Sequence, residues 1–288
     1  MKIKQLIKSA INNGIIPTRL IMPFWSFIRH KKRHDLVFEV HLTDHCNLSC
    51  KFCDHFSPLA QEVFIDIDVY KKDCERLSFL TNQRVKEVRL LGGEPLLNPE
   101  TGKVIEITRN YFNKTLITII TNGILLTKQS EEFWRSCRKN KAEIVVTKYP
   151  IKLDYTKIEK LARDNGVKLK YWGGEIKTSY HCVLDLEGKH NPKESFKLCY
   201  KSNVCIHLSN GKLYPCPTIP YVFHFNNYFK KNLEICEKDF VDIHKAKGIK
   251  EIKAFLSKPV PFCRYCAVEK TDFGIPWGTS KKTIDEWT

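Results

Sequence analysis

From residue 36 onward, short apolar runs bounded by turn residues alternate with longer stretches in which apolar residues recur every three or four positions. The first pattern fits strands and the second fits amphipathic helices. Leu36 to Leu42 reads as a strand. A helix follows, with Ile67, Tyr70, Cys74 and Leu77 at helical spacing and Asp66 or Asp68 near its start. Val85 to Leu91 is a second strand, ending in Gly92-Gly93-Glu94-Pro95. Asn98-Pro99 offers an N-cap and a first-turn proline for a helix running to about Phe112. Leu116 to Ile120 is a third strand, closing on Thr121-Asn122-Gly123, and a helix covers about Gln129 to Lys139. Glu143 to Lys148 is a fourth strand, stopped by Pro150. Thr156-Lys157-Ile158-Glu159 resembles a capping box on a helix that ends at Gly166, and Val167 to Trp172 is a fifth strand.

Alternating β and α units imply an α/β fold with a parallel sheet. In a sheet that curls towards a barrel, ligands bind at the C-terminal strand ends. The turns after the first three strands would then share one mouth. From about Tyr180 the pattern changes. Val204 to Leu208, Ser209-Asn210-Gly211-Lys212 and Leu213-Tyr214 read as a β-hairpin with Asn-Gly in its turn. Three regions follow: a basic arm over 1–35, a β/α core over 36–180 and a smaller unit over 181–288.

The formal charge of +16 favours anionic partners, although lysines scattered along the whole chain also serve solubility. The first 34 residues carry eight Lys or Arg and no Asp or Glu. Their apolar run is broken by Pro17, Arg19 and Pro23, too short to span a bilayer and without a signal-peptide cleavage site. Such an arm either packs on the domain or makes peripheral contact with an anionic membrane. Twelve cysteines without a secretory leader read as reduced, cytoplasmic thiols rather than a disulfide framework.

The cysteines fall into two sets. Cys46, Cys50 and Cys53 lie in one loop directly after the first strand. Three thiolates converging there make a soft-metal site with one position left open. Cys199 and Cys216 flank the hairpin, and Cys263-Arg264-Tyr265-Cys266 supplies a C-x2-C pair, together enough for a four-thiolate site, zinc or iron–sulfur. Cys205 is an alternative ligand or a buried strand cysteine. Cys74, Cys137, Cys182 and Cys236 read as core or inert thiols. His55 could face substrate as a base, or sit on a helix or solvent face. The tail Phe273 to Gly278 either closes over the mouth or packs on the C-terminal unit.

The Cys46-x3-Cys50-x2-Cys53 loop, with Phe52 before its last cysteine, resembles the signature of the radical SAM superfamily. The resemblance implies a partial (β/α)6-type barrel and a 4Fe–4S cluster on those three cysteines that chelates S-adenosylmethionine (SAM) through its open iron. Gly92-Gly93-Glu94-Pro95 resembles the family's GGEP turn, which implies that Glu94 meets the SAM amino group. Thr121 and Asn122 match positions near the SAM carboxylate or ribose, and Thr147 is a weaker match. Cys199, then Gly211-x4-Cys216, then Cys263 and Cys266 resemble a twitch or SPASM-like domain, implying one auxiliary 4Fe–4S cluster. The pattern is similar to 2-deoxy-scyllo-inosamine dehydrogenase-type enzymes. No sixth β/α unit is evident between Glu175 and Leu198.

The expected activity is therefore reductive cleavage of SAM to a 5′-deoxyadenosyl radical that takes hydrogen from a small polar substrate of the sugar or nucleotide-sugar class, oxidising an alcohol. An acidic flavodoxin or ferredoxin-type protein would be the electron donor, and no nucleic acid is expected. A peptide-modifying maturase and a metal-stabilised RNA-binding protein are the alternatives.

Overall fold

The computed structural model describes residues 36–172, 178–202 and 204–288. The basic arm over 1–35, with its proposed membrane contact, lies outside the described residues. Strands β1 (Leu36–His41), β2 (Val85–Leu91), β3 (Leu116–Thr121), β4 (Ala142–Val146) and β5 (Leu169–Tyr171) pair in parallel, in the order β5-β4-β3-β2-β1. Helices α1 (Ile67–Thr81), α2 (Thr101–Tyr111), α3 (Glu131–Lys139) and α4 (Tyr155–Asp164) connect them.

The expected sixth strand is absent from the β5 edge among the described residues. β6 (Thr178–His181) instead pairs antiparallel with β10 (Asp272–Pro276). After α5 (Pro192–Leu198), β7 (His207–Ser209) joins the opposite edge, parallel to β1. It turns through Asn210-Gly211 into β8 (Lys212–Tyr214), and β9 (Val241–Asp242) completes an eight-stranded sheet. The first hairpin strand begins at His207, three residues after the start of its apolar run at Val204. Helices α6 (Thr218–Phe229) and α7 (Ile249–Leu256) flank it. Among the described residues no helix is long and apolar enough to cross a membrane.

Period-two alternation in β1 divides the molecule. Leu36, Phe38, Val40 and Leu42 are buried in the core that α1 to α4 cover. Each such side chain contributes about 1.5–3 kcal/mol by leaving water. The alternate residues Glu39 and His41 are also buried. They belong to a polar network in which Arg89 pairs with Glu39 (3.0 Å) and Glu87 (3.2 Å), while His207 meets Glu39 at 2.9 Å. A second apolar core gathers Ile219, Val222, Phe225 and Phe262 with Phe56, Leu59 and Trp287, so it draws on segments far apart in the sequence.

Helix starts follow local caps, with two shifts from the sequence reading. Asp154, whose side chain accepts from Lys157 N, caps α4 in place of the expected Thr156 box. Asn98 accepts from Glu100 N, and α2 begins at Thr101. Cys74 and Cys137 are fully buried as expected, but Cys236 is exposed and is not a core thiol.

The exits of β1 and β2 touch backbone to backbone. Gly93 N donates to Thr43 O (3.0 Å) and Glu94 N to His45 O (3.1 Å). A Cβ on Gly92 would stand 2.1 Å from Thr43 O, and one on Gly93 2.1 Å from His45 O. A Gly93→Ala variant should lose about 1–3 kcal/mol, because the obstruction is backbone that cannot swing away. Gly102→Ala, whose Cβ would meet Ser136 Cβ at an ordinary 3.5 Å inside α2, should instead gain up to about 1 kcal/mol. Urea-unfolding midpoints of the two variants check both signs.

Candidate active site

The loop after β1 is clamped from three sides. Asn98 Nδ2 donates to Leu42 O (2.8 Å), and the β2 exit holds Thr43 and His45. The C-terminal tail closes over the loop. Lys51 N donates to Gly278 O and Ser280 N to Ser49 O, both at 2.8 Å, and Trp287 Nε1 reaches Cys53 O at 2.8 Å. This decides between the two readings of the tail in favour of closure over the mouth. Phe52 adopts a left-handed backbone (φ 62°) and its ring stacks on His181, with centroids 4.6 Å apart.

A cavity of about 270 Å³ opens at this mouth. Cys46, Cys50, Cys53 and Phe52 line one side, with Gly92 and Gly93, while Thr121, Asn122 and Thr147 come from the β3 and β4 exits. Tyr149, Tyr180 and Trp277 complete the wall. The structure thus brings together the residues of the three sequence turns, except Glu94. That carboxylate is fully buried and is not on the cavity surface. Its Oε1 accepts from Thr121 Oγ1 (2.6 Å) and Leu96 N (3.1 Å), and its Oε2 from Asn122 N (2.9 Å). Asn122 Nδ2 in turn donates to Asn47 Oδ1 (2.7 Å), inside the cysteine loop.

Burial pushes the Cys53 thiol up to about 12 and raises those of Cys46 and Cys50, the last drawn back partly by Trp277 and Tyr149. Ionised as ligands, these thiols would need a positive group between them, which an iron–sulfur cluster provides. Among the described residues no three His, Cys, Asp or Glu side chains close on a point suited to a single ion. The three thiols instead share one side of a cavity with room for a multi-atom cluster.

His55 lines the cavity with its side chain 20% exposed. Behind it, His41 Nε2 meets His55 Nδ1 at 2.9 Å and His41 Nδ1 meets Asp44 Oδ1 at 2.8 Å. Asp44 Oδ2 meets His224 Nε2 at 2.9 Å. Burial holds the His41 pKa down at about 3, so its ring is neutral. Its Nδ1–H therefore donates to the Asp44 carboxylate, and its Nε2 accepts from His55 Nδ1–H. For a neutral His55, Nε2 keeps the lone pair. Of this relay, His41 alternates with the apolar residues of the first strand, whereas Asp44 lies in the loop beyond it and carries no periodic signal.

Cys199, Cys216, Cys263 and Cys266 line a second, smaller cavity of about 30 Å³. Cys199 ends α5, Cys216 follows β8, Cys263 sits on a 3-10 turn over Pro261–Tyr265 and Cys266 caps its end. Burial pushes Cys216 to about 11 and Cys263 to about 12, and also raises Cys266. Cys205 does not line this cavity; it is grouped electrostatically with Glu39, Asp54 and Arg89. Lys201 stands on the wall between the sites. Its Nζ donates to Thr218 Oγ1 (3.0 Å) and pairs with Asp54 Oδ2 (3.3 Å), which also accepts from Tyr180 (3.2 Å).

Glu94 gives a measurable signature. Burial pushes its carboxyl up to about 7 against the pull of its three donors. An unfolded glutamate titrates at about 4.3, so between those values the folded protein holds the additional proton. Its stabilisation is thus complete below about pH 4.3 and disappears as pH rises through 7. In cofactor-free protein, raising the pH from about 5 to about 8 should remove about 2–3 kcal/mol through this group. Glu94→Gln should flatten that dependence, read from urea unfolding at the two pH values.

Comparison with known proteins places this geometry. The family model described as "Radical SAM superfamily" matches residues 40–182. GTP 3′,8-cyclase of Staphylococcus carnosus (strain TM300) is 31% identical over 102 residues, covering 32% of this chain and 28% of that protein. GTP 3′,8-cyclase of Rhodopirellula baltica (strain DSM 10527 / NCIMB 13988 / SH1) is 28% identical over 168 residues, covering 56% and 43%. The chain thus spans less than half the length of these curated relatives. Among solved structures, BtrN in complex with AdoMet and 2-DOIA aligns with a TM-score of 0.50 and 17% identity, covering 82% of this chain and 94% of that one. That likeness extends the shared fold past the family match into the C-terminal unit. Residues 40–182, which carry the cysteine loop and most of the parallel sheet, form a domain of the radical SAM superfamily.

Proposed function

We propose that this protein oxidises an alcohol of a small polar substrate to a carbonyl, using SAM as the source of a radical and the four-cysteine site as an electron acceptor. The observation that carries the reading is the placement of Cys199, Cys216, Cys263 and Cys266 around one cavity, joined through the Lys201–Asp54 contact to the wall of the cavity that Cys46, Cys50 and Cys53 line. Four thiols offer a cluster no free position for substrate, which leaves electron transfer as its task. The fold shared with BtrN, a structure bound to AdoMet and 2-DOIA, supports a small substrate, as does the tail that roofs the mouth.

When bound, the first 4Fe–4S cluster and SAM supply a 5′-deoxyadenosyl radical that removes a hydrogen atom from substrate carbon. The chain does the rest. Cys46, Cys50 and Cys53 hold the cluster. Thr121, Asn122 and Thr147 offer polar groups for the methionine end of SAM, while Gly92 and Gly93 let backbone approach it. Glu94, matched by the family resemblance to a residue that meets the SAM amino group, here latches the β2 exit to the β3 exit. Tyr149 and Trp277, with ring centroids 6.0 Å apart, help keep water from the radical. His55 Nε2 receives the substrate hydroxyl proton, its ring held by His41. The net charge of +16 suits an acidic flavodoxin or ferredoxin-type donor.

Anaerobic reconstitution tests the reading. The parent should bind about eight irons, and Cys46→Ala/Cys50→Ala/Cys53→Ala about four. With dithionite and SAM, the parent should release 5′-deoxyadenosine and the triple variant none. Alanine at the four C-terminal cysteines should leave about four irons and retain 5′-deoxyadenosine release. A parent that takes up only about four irons, or zinc in their place, would remove the electron acceptor and with it the proposed oxidation.

A further inference from the structure

The ion pair between the two sites is oriented. Asp54 lines the cavity of the first three cysteines, and Lys201 lines the cavity of the other four. Lys201 is 7% exposed, and its Nζ lies 3.3 Å from Asp54 Oδ2. Thr218 Oγ1, which accepts from that Nζ, belongs to the wall of the second cavity. Tyr180, which donates to Asp54 Oδ2, belongs to the wall of the first. The positive end therefore faces the four thiols and the negative end faces the radical-generating cavity. A buried ion pair is weak evidence for stability, since apolar replacements are often as stable. Its direction is what calls for a role.

We propose that the Asp54–Lys201 pair is an electrostatic bias that raises the reduction potential of a four-thiolate cluster on Cys199, Cys216, Cys263 and Cys266, drawing electrons out of the substrate cavity. The inference rests on the auxiliary-cluster reading above. In that reading, substrate carbon loses a hydrogen atom to the deoxyadenosyl radical. The substrate radical then gives one electron to the cluster and its hydroxyl proton to His55, leaving a carbonyl. Four thiolates make the cluster anionic, and reduction adds one negative charge. A nearby ammonium stabilises the reduced form more than the oxidised form, and the surrounding low dielectric leaves that field poorly screened. Asp54 opposes it from farther away and weakens it only in part.

The test is an EPR-monitored redox titration of the full chain carrying Cys46→Ser/Cys50→Ser/Cys53→Ser, so that the second cluster alone reports. Lys201→Met should lower its reduced-to-oxidised ratio at fixed potential about tenfold, a midpoint shift of about −59 mV for one electron. Asp54→Asn should shift the midpoint the opposite way, and Lys201→Arg should stay near the parent. Titrating the same substitutions with both clusters present, where SAM perturbs only the first cluster's spectrum, guards against misfolding of the triple variant. An unchanged midpoint in Lys201→Met at full iron content overturns the bias and leaves the cluster standing, as does a shift of the same sign in the Lys201→Met and Asp54→Asn variants. Absence of iron from both the triple variant and the second site of the parent overturns the cluster reading and the bias with it.

Discussion

The mouth of this molecule depends on how closely two backbones approach. Where β1 and β2 end, the space that a Cβ would need on Gly92 or Gly93 is filled by carbonyl oxygens of the facing chain. That contact fixes Thr43 and His45, and Cys46 follows at once. From there the hydrogen bonds form a circuit. Glu94 ties the β2 exit to Thr121 and Asn122, and Asn122 returns to Asn47. The cysteine loop is thus held from both sides by rigid sheet ends, the kind of support a pre-organised site requires. Its glycines serve steric need first, before any contact with a ligand.

The same sheet separates stability from chemistry. Its apolar face packs against α1 to α4, whereas its other face buries Glu39, His41 and His207 with the partly buried Arg89. Buried charge of this kind costs solvation that pairing only repays in part. What it provides is a set of fixed dipoles beneath the cavity. The neutral His41 can occupy its place because Asp44 orders one nitrogen and His55 the other. The result is a cavity wall whose polarity is set from behind, out of reach of solvent.

Much of this was legible in the sequence because it was local. Strand and helix runs carry their own periodicity, and the Cys46–Cys53 spacing states its chemistry within eight residues. The glycine turn and Thr121-Asn122 are informative for the same reason. What escaped was set by distant contacts. Asp54 acquires its meaning from Lys201 and Tyr180, more than a hundred residues away. The placing of Trp277 depends on the backbone pairing of residues 278–280 with 49–51. Glu94 is a different case: its family match was visible, but two of the three donors that occupy it, Thr121 and Asn122, come from a turn whose distance from its own no sequence pattern encodes. That no sixth β/α unit follows β5 could be read from the sequence, but the pairing of β6 with β10, near the far end of the chain, could not.

The boundary near residue 180 marks a change of sequence pattern and not a mechanical joint. β7 extends the sheet from β1, and Phe56 and Leu59 from the end of the cysteine loop enter the second core. Trp287 reaches back to the carbonyl of Cys53. These ties cross between the two sets of thiols on several independent paths, so the sets cannot separate without breaking sheet, core and loop contacts together. A protein that only stored a structural metal in its C-terminal unit would have no need to fix that unit so closely to the radical-generating loop. An electron path would, because transfer between two centres is sensitive to their separation and to the charges along the way. The Asp54–Lys201 pair joins the walls of the two cavities, so in the electron path we propose, rigidity and electrostatic bias are two aspects of one arrangement.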